Sequence, residues 1–472
     1  MAFLLRIATI ALISTLIISF ASAQQCSYKK IKPKKSSPVT AANWEYSVIA
    51  KKLRRPRSIL FDSEGALIVI DSGNGILHMK LDDAGGTCLQ VSKTTTLLKK
   101  DNLNHGIAIS KDGRTIYASS SENVFAWSYD PKKVTLDKSS EQTLVKNMTS
   151  SGHRSRTLLL SQDYPDMLVV SRGSNKNDDA GTEVLASGRS QLRAFNISSF
   201  SNRSSNPKTY EYLDGKLLGW GLRNSVGVAE HPDTGGLFSV ENSYGKLKRD
   251  GKDIHNDNPG EEMNFHGYLN GSTASRDSNY GYPFCLALWS TDNFPKLGDL
   301  KIGEQFAGDR ESDRSRRTDR ECERDYIAPV LAFQAHTAPL DLKFNKNGTR
   351  AYVAFHGSWN RKPPVGYQVS YTDFENGRPV AAASQSRNAT TPIIFNKDLK
   401  KCPDDCFRPV GLAWDSKDRL FFTSDKTGEI FVLNYNDTAR GANDDNSAFT
   451  LRPGSAALIV ALAAVIMGGF LA

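Results

Sequence analysis

The sequence lacks the features of several common protein classes. It has no heptad repeat and no low-complexity domain, which excludes a coiled coil. Its formal net charge is only +9 over 472 residues, and the charges are scattered. The basic run KKIKPKK and the mixed run RESDRSRRTDRECERD are typical of solvated segments rather than of a nucleic-acid stripe. We therefore expect no nucleic-acid partner.

Long apolar runs are confined to the two ends of the chain. Residues 1–23 carry one early basic residue, Arg6, then an apolar core over residues 7–20 and the small-residue triplet Ala21-Ser22-Ala23. This order is that of a secretory signal peptide with cleavage before Gln24. We expect a secreted, extracellular protein.

The C-terminal apolar run, residues 456–472, has no charged residue after it. A membrane-spanning helix is normally followed by a basic flank, so the run favours a glycosylphosphatidylinositol (GPI) anchor signal that follows a polar stalk at residues 437–455. Asn446 has the better small-residue triplet for attachment, whereas Gly441 gives the more usual spacer; we prefer Asn446. The expected location is the outer face of the plasma membrane, with contact through the lipid only.

Cysteines are few, and their number is even. All six follow the signal peptide, and we expect them to pair in an oxidising compartment as Cys26–Cys88, Cys285–Cys322 and Cys402–Cys406. A zinc site in CPDDC is the alternative, but no second Cys or His pair at ligand spacing accompanies it. Seven N-x-S/T sequons predict a surface glycoprotein, at Asn147, Asn196, Asn202, Asn270, Asn347, Asn388 and Asn436.

One local pattern occurs six times. Each copy has a short alternating apolar run, a turn rich in Asp, Asn and Gly, and a second run of β-branched or aromatic residues. The six copies begin at Arg57, His105, Arg156, Asn224, Pro339 and Pro409. Because one four-stranded blade cannot bury both faces alone, the pattern predicts an all-β, six-bladed β-propeller over residues 24–436.

Polar motifs interrupt this pattern at the blade ends, where loops meet at the mouth of the central channel. These motifs contain the residues that carry potential chemistry: Arg57, His105, His153, Asn175, Asn177, Arg223, Asn224, His356, Arg361, Lys362 and Arg408.

An ordered set of motifs resembles the soluble quinoprotein sugar dehydrogenases. The set includes GHRSRTLLLSQD, GWGLRNSVGVAEHP, DIHNDNPGEE, AHTAPLDLKF, AFHGSWNRKPPVGY and FRPVGLAWDSKD, and it covers the chain from about Asn43 to Leu433. Within that family the chain is most similar to the sorbosone dehydrogenase-like branch and to the fungal pyranose dehydrogenases that depend on pyrroloquinoline quinone (PQQ).

The resemblance implies a PQQ- and Ca²⁺-dependent enzyme that oxidises a sugar hydroxyl by hydride transfer. His153 matches the family's general base, and an imidazole suits that role. Arg57, Arg361 and Arg408 are candidates for binding the three cofactor carboxylates, because guanidinium groups bind carboxylates with two hydrogen bonds.

The remaining assignments also rest on the resemblance. Asn224 matches an asparagine near the quinone, and Asn175 is a further cofactor candidate. His105 and His356 either hydrogen-bond the cofactor or cap a strand. Carbonyl oxygens of Ser243 and Tyr244 would bind Ca²⁺, which needs oxygen ligands.

The sequence also departs from the family. Cys406 stands two residues before Arg408, where the bacterial branch has a second arginine, and Lys362 is only a potential stand-in for the cofactor lysine of that branch. No cytochrome domain follows the propeller, so we expect electrons to pass to a separate acceptor. We also expect a monomer. Two alternatives stay open: a metal-dependent lactonase, and a cell-surface propeller that binds without a cofactor.

Overall fold

The structure is a computed structural model that describes residues 26–201, 207–270, 278–310 and 317–436. The predicted signal peptide, stalk and anchor signal lie outside these residues, as does the sequon at Asn202. No helix in the described ranges is long and apolar enough to cross a membrane.

Six antiparallel sheets form the six blades of a propeller, which confirms the predicted fold. The innermost strand of each blade contacts that of the next blade, and the sixth contacts the first, so the ring is closed. The first three blades, innermost strand first, are blade 1 with Pro56–Phe61, Leu67–Asp71, Gly75–Asp83 and Leu89–Lys99; blade 2 with Leu103–Ile109, Thr115–Ser120, Val124–Asp130 and Thr135–Lys146; and blade 3 with Leu158–Leu160, Met167–Arg172, Gln191–Asn196 and Lys216–Trp220.

The second half of the ring continues the pattern. Its blades are blade 4 with Ser225–Glu230, Gly236–Glu241, Glu261–Tyr268 and Leu331–Phe333; blade 5 with Pro339–Phe344, Arg350–Phe355, Gln368–Glu375 and Thr391–Phe395; and blade 6 with Pro409–Trp414, Leu420–Ser424, Glu429–Tyr435 and the N-terminal strand Trp44–Ala50. All six predicted repeats therefore start at or next to an innermost strand.

Short elements decorate the blades. Val39–Thr40 extends blade 5, Tyr210–Glu211 extends blade 2, and Arg378–Pro379 pairs within blade 5; two small ribbons are Lys248–Arg249 with Lys252–Asp253 and Cys285–Ala287 with Gln305–Ala307. The α-helices are Ser198–Ser201 and Asp319–Asp325, and the 3-10 helices are Ala180–Glu183, Leu185–Ser187, Tyr212–Asp214, Ala383–Asn388 and Leu399–Lys401.

The hydrophobic core is divided into six main clusters, one between each pair of neighbouring blades. In the cluster between blades 5 and 6, Phe422 stacks on Phe431 with ring centroids 4.6 Å apart. The same cluster holds Trp44, from the N-terminal strand that completes blade 6. Each fully buried side chain of this size contributes about 1.5–3 kcal/mol, so the ring closes on apolar burial between blades.

The three expected disulfides are confirmed: Cys26–Cys88, Cys285–Cys322 and Cys402–Cys406. The thiols of the CPDDC segment are consumed by the third bond, so the zinc alternative for this segment is wrong. The second bond closes the long insertion of blade 4, which also has a small apolar core around Tyr244, Tyr282 and Phe306.

Removing Cys285–Cys322 by a double serine substitution is expected to lower the free energy of unfolding by about 4 kcal/mol, because the bond restricts a long loop of the unfolded chain. The two cysteines are 37 residues apart, against 4 for Cys402 and Cys406, whose removal should cost about 2 kcal/mol. Denaturant unfolding of both double variants measures the two values. Equal losses would contradict the loop-length explanation.

Candidate active site

The blade ends enclose a cavity of about 520 Å³ at the channel mouth, lined by residues of blades 3 to 6 and of the blade 4 insertion. Six of the residues singled out from the sequence line it: His153, Asn177, Arg223, Ser243, His356 and Arg408. The wall contains both buried cations and histidines, so its chemistry depends on how each of them is paired.

His153 precedes the innermost strand of blade 3, and its ring is held by Ser174. Nδ1 lies 2.9 Å from the Ser174 hydroxyl and 3.2 Å from the Ser174 carbonyl oxygen. The hydroxyl donates its own hydrogen to the Lys176 carbonyl at 2.8 Å, so it accepts from the ring and Nδ1 carries the proton. The lone pair of the imidazole is therefore on Nε2, which makes no hydrogen bond to any described residue.

Burial is the main reason that the pKa of His153 is lowered to about 3, and the neighbouring Arg223 guanidinium lowers it further. The imidazole is consequently neutral from weakly acidic pH upward. A neutral ring with a free Nε2 that faces a cavity is the form that accepts a proton.

Arg408 is a buried cation without a carboxylate partner among the described residues. Its Nε donates to the His356 carbonyl at 3.0 Å, Nη2 donates to the Gly357 carbonyl, and the guanidinium lies 5.3 Å from the Tyr367 ring centroid. Burial lowers its pKa. Because a buried charge is costly unless it is paired, an anionic ligand in the cavity would stabilise this site.

Arg223 is the second such cation. Its three nitrogen atoms donate to the Asn177 carbonyl at 3.1 Å, to Asn177 Oδ1 at 2.9 Å and to the Asn242 carbonyl at 3.1 Å. Within the described chain no carboxylate forms an ion pair with it. The sequence placed Arg223 at a blade end, but we assigned it no role in cofactor binding. The signal for such a role is its position in the motif GWGLRNSVG.

Arg57 is neutralised inside the protein instead of facing the cavity. Its Nη1 forms an ion pair with Asp425 at 2.8 Å, and Nε donates to His105 Nδ1 at 3.2 Å. Asp425 also accepts from His356 Nε2 at 2.8 Å. Since both oxygen atoms of Asp425 are engaged, the group forms a closed network from Arg57 to His356.

This network governs the charge of its two histidines. Burial lowers the pKa of His356 to about 4, although the Asp425 carboxylate acts in the opposite direction. Burial holds the pKa of His105 well below its usual range, and its Nε2 has no hydrogen-bond partner among the described residues. His356 lines the cavity, whereas His105 lies behind the network.

Arg361 lies outside the channel-mouth cavity. It lines an adjacent cavity, where it forms an ion pair with Asp257 at 2.8 Å and donates to the carbonyls of Asn256 and Pro363. Arg57, Arg361 and Arg408 are therefore not equivalent: of these three, Arg408 alone lines the channel-mouth cavity and has no ion pair with any described residue.

The two asparagines predicted to bind the cofactor, Asn175 and Asn224, do not line the cavity, but two other asparagines do. Asn177 and Asn242 line the cavity, whereas Asn175 faces Ser150 and Arg189, and Asn224 donates to Asn242 at 3.4 Å. Asn224 is thus behind Asn242.

One of the two residues predicted to bind calcium, Ser243, lines the cavity, and the other, Tyr244, does not. Ser243 lines the cavity, and its N–H donates to Glu261 at 2.6 Å, while the Tyr244 side chain is buried against Tyr282. Among the described residues, no group of three or more His, Cys, Asp or Glu side chains is placed to hold a metal ion. A site built on the carbonyl oxygens of Ser243 and Tyr244 stays a prediction.

Three buried glutamates, Glu241, Glu261 and Glu262, lie beside this loop on two paired strands of blade 4. Burial raises the pKa of all three, that of Glu261 to about 7, and Glu241 Oε2 has no hydrogen-bond partner in the described part of the chain. The motif GEE contained two of them, but the sequence could not show that they are buried.

Glu262 is expected to lower the free energy of unfolding of the apoprotein as the pH rises from about 4.5 to 7, against the opposite contribution of the buried histidines, whose pKa values are lowered. Burial raises the pKa of Glu262 from 4.5 to about 7, so the folded state retains a proton that the unfolded state loses in this range. Glu262→Gln should shift the slope of stability against pH toward positive values in this range, and Gln at the exposed Glu64 should leave the slope unchanged. Denaturant titrations at several pH values measure it, and an unchanged slope in Glu262→Gln would contradict the assignment.

Comparison with known proteins identifies the family. The TrAA12-like family matches residues 38–436. A PQQ-dependent sugar dehydrogenase of Hypocrea jecorina (strain QM6a) is 48% identical over 424 residues, which are 89% of this chain and 95% of that protein.

Two solved structures agree. The calcium structure of a Trichoderma reesei member of carbohydrate-active enzyme family AA12 has a TM-score of 0.83 and 49% identity, covering 86% of this chain and 99% of its own. The holo form of the PQQ domain of Coprinopsis cinerea pyranose dehydrogenase has a TM-score of 0.77 and 32% identity, covering 86% and 98%. The resemblance drawn from the motifs is confirmed, and the chain belongs to the TrAA12-like family.

Proposed function

We propose that this chain is a PQQ- and Ca²⁺-dependent dehydrogenase that oxidises a hydroxyl of a pyranose or sorbosone-like sugar. The observation that carries the proposal is that two buried arginines, Arg223 and Arg408, which form no ion pair with any described residue, share one cavity wall with a neutral histidine. Such a wall fits an anionic cofactor, and it fits neither an apolar ligand nor a cationic one. The names of the similar proteins agree with this function.

The chain's own residues have separate roles. Arg408 and Arg223 would bind cofactor carboxylates, because the guanidinium group of each lies in the cavity wall and forms no ion pair with a described carboxylate. His153 would accept the hydroxyl proton at Nε2, and Ser174 holds the ring so that this atom is the acceptor. When bound, PQQ supplies an electrophilic quinone that accepts a hydride, and Ca²⁺ polarises it.

Calcium would bind to backbone carbonyls of Ser243 and Tyr244. The supporting observation is that Glu261 fixes the loop by accepting from the Ser243 N–H at 2.6 Å and from the Ala338 N–H at 3.2 Å. A carbonyl site on a fixed loop suits a hard cation. Electrons would then leave to a separate acceptor, and we infer a monomeric enzyme.

Reconstitution tests the function. Adding PQQ and Ca²⁺ to the purified apoprotein should change the absorption spectrum of PQQ and yield dye reduction with at least one sugar from a panel of aldoses, ketoses and glucosone-type sugars. An unchanged spectrum would favour the cofactor-free binding propeller. A changed spectrum without activity on any sugar would reject the sugar substrate class and leave the cofactor assignment.

We also propose that the enzyme is secreted, glycosylated and GPI-anchored through Asn446. The three disulfides fit an oxidising route, and the sequons at Asn147, Asn196 and Asn347 are exposed. Phosphatidylinositol-specific phospholipase should release the protein from intact cells. Mass spectrometry that finds residues 456–472 in the mature protein would reject the anchor.

A further inference from the structure

A second cavity, of about 620 Å³, adjoins the channel-mouth cavity. Trp359 and Asn360 line both, so the two spaces share one wall. The rest of the second cavity is formed by residues 252–258 and Asp292–Phe294 of the blade 4 insertion, together with Arg361 and Lys362. A ligand that extends out of the first cavity past Trp359 therefore enters the second.

Trp359 is unlike the other five tryptophans of the chain. Its side chain is 76% exposed, whereas the others are buried or half-buried. The backbone that presents it is fixed on both sides: Ser358 N–H donates to Val365 at 2.9 Å, and Asn360 Nδ2 donates to the Gly245 carbonyl at 2.7 Å. A single exposed apolar residue is ordinary, but an indole on a backbone held in place between two cavities provides a flat contact surface for a ligand.

The polar groups of the second cavity indicate what kind of ligand fits. Its basic and acidic side chains balance, with three of each: Lys252, Arg361 and Lys362 against Asp253, Asp257 and Asp292. Asn256, Asn258 and Asn293 contribute amides or backbone groups to the same wall. A balanced wall attracts neither an anion nor a cation, while its many donors and acceptors match a neutral ligand rich in hydroxyl groups.

We propose that the second cavity is a saccharide subsite in which Trp359 stacks on the C–H face of a pyranose ring. The chain accordingly takes neutral oligosaccharides, with the reacting unit in the channel-mouth cavity and the next unit on Trp359. The role of the reacting unit rests on the proposed sugar dehydrogenase function. The stacking itself requires no cofactor, so it is measurable on the apoprotein.

Binding is tested first, on the apoprotein, with cellotriose and maltotriose as probes. At least one of them should change the intrinsic fluorescence in a saturable way, and Trp359→Phe should remove that change because it keeps an aromatic ring but loses the indole. By calorimetry, Trp359→Ala should weaken binding at least tenfold, while Trp359→Phe stays within about threefold of the wild type. Tyr164→Ala, at a half-exposed aromatic outside both cavities, is the matched control and should change nothing. Failure of both trisaccharides to bind, or equal affinity in Trp359→Ala, overturns the subsite.

Steady-state kinetics of the reconstituted enzyme provide the second test. In the reconstituted enzyme, the ratio of kcat/KM for the bound trisaccharide to kcat/KM for its monosaccharide should fall at least tenfold in Trp359→Ala and stay unchanged in Tyr164→Ala. An unchanged ratio overturns the proposal, as does a change confined to the KM of the electron acceptor, which would make Trp359 a docking residue for that partner. Trisaccharide binding without oxidation of any sugar would reject the dehydrogenase function and leave the subsite standing.

Discussion

Replacing His153 with alanine is expected to lower the turnover of the reconstituted enzyme by about 10²–10⁴-fold, which is the usual contribution of a positioned general base. The hydrogen bonds from Nδ1 to Ser174 leave the lone pair of Nε2 as the proton acceptor on the cavity wall. Affinity for PQQ should change little, because neutral His153 contributes no charge toward the cofactor carboxylates. Stopped-flow dye reduction and a PQQ titration separate the two effects.

The control is His231→Ala. His231 is buried against Phe344 and hydrogen-bonded to the Gly348 carbonyl, between blades 4 and 5 and away from the cavity. Its loss should lower stability while the folded fraction turns over normally. A folded, cofactor-loaded His153→Ala variant with wild-type turnover would refute the role of His153 as the base.

The pH profile gives an independent check on the same residue. An unperturbed histidine would lose its basic form below about pH 6.5. Because burial and Arg223 lower the pKa of His153 to about 3, its basic form persists as the pH falls through 6 and 5. Protonation of His153 should therefore not produce an acid limb near pH 6.5 in the profile of kcat/KM. A limb near that pH that is absent from a His153→Gln variant would contradict the lowered pKa.

The fold was predictable because the same pattern of strands and turns occurs six times in the sequence. Each copy must bury its faces against the neighbouring copies. The innermost strands beginning at Pro56, Leu103 and Ser225 all coincide with repeats visible in the sequence. The way in which the ring closes could not be predicted. No sequence pattern showed that Trp44–Ala50 would pair with Glu429–Tyr435, because a pairing between chain ends depends on the completed ring.

The site was predictable as a set of residue types and less so as a set of contacts. Arg57, Arg361 and Arg408 are alike in sequence, each a basic residue at a blade end, yet Asp425 and Asp257 neutralise the first two. Those carboxylates lie 368 and 104 residues away from their partners along the chain. Since charge compensation is set by tertiary contacts, the distinction became visible only in the structure.

The same reasoning explains the residues that sequence analysis passed over. Asn242 and Glu261 line the cavity beside Ser243, which was selected: Asn242 precedes it in the chain, and Glu261 accepts a hydrogen bond from its N–H. In a loop or at a strand end, a shift of one residue changes which side chain faces the channel. The sequence motifs therefore predicted which loops form the cavity wall, but not which side chains of those loops line the cavity.

Arg408→Ala is expected to weaken PQQ binding by roughly 10- to 150-fold, since a hydrogen bond to a charged group contributes about 1.5–3 kcal/mol. The guanidinium is held by the carbonyls of His356 and Gly357 and stacks near Tyr367, so it is in place before any ligand arrives. The fold should survive, because Arg408 has no ion pair to lose among the described residues. Titration of the apoprotein with PQQ measures the affinity.

Arg57→Ala is the matched control, because it removes the same group from a neighbouring blade end. It should mainly lower stability, because the buried Asp425 carboxylate loses its ion pair with Arg57 and keeps, among the described residues, the hydrogen bond from the neutral His356 ring. Arg408→Lys should fall between the wild type and Arg408→Ala, because lysine keeps the charge but cannot reproduce the planar two-point contact. Equal affinity losses in Arg57→Ala and Arg408→Ala would show that ion pairing does not decide which arginine binds the cofactor.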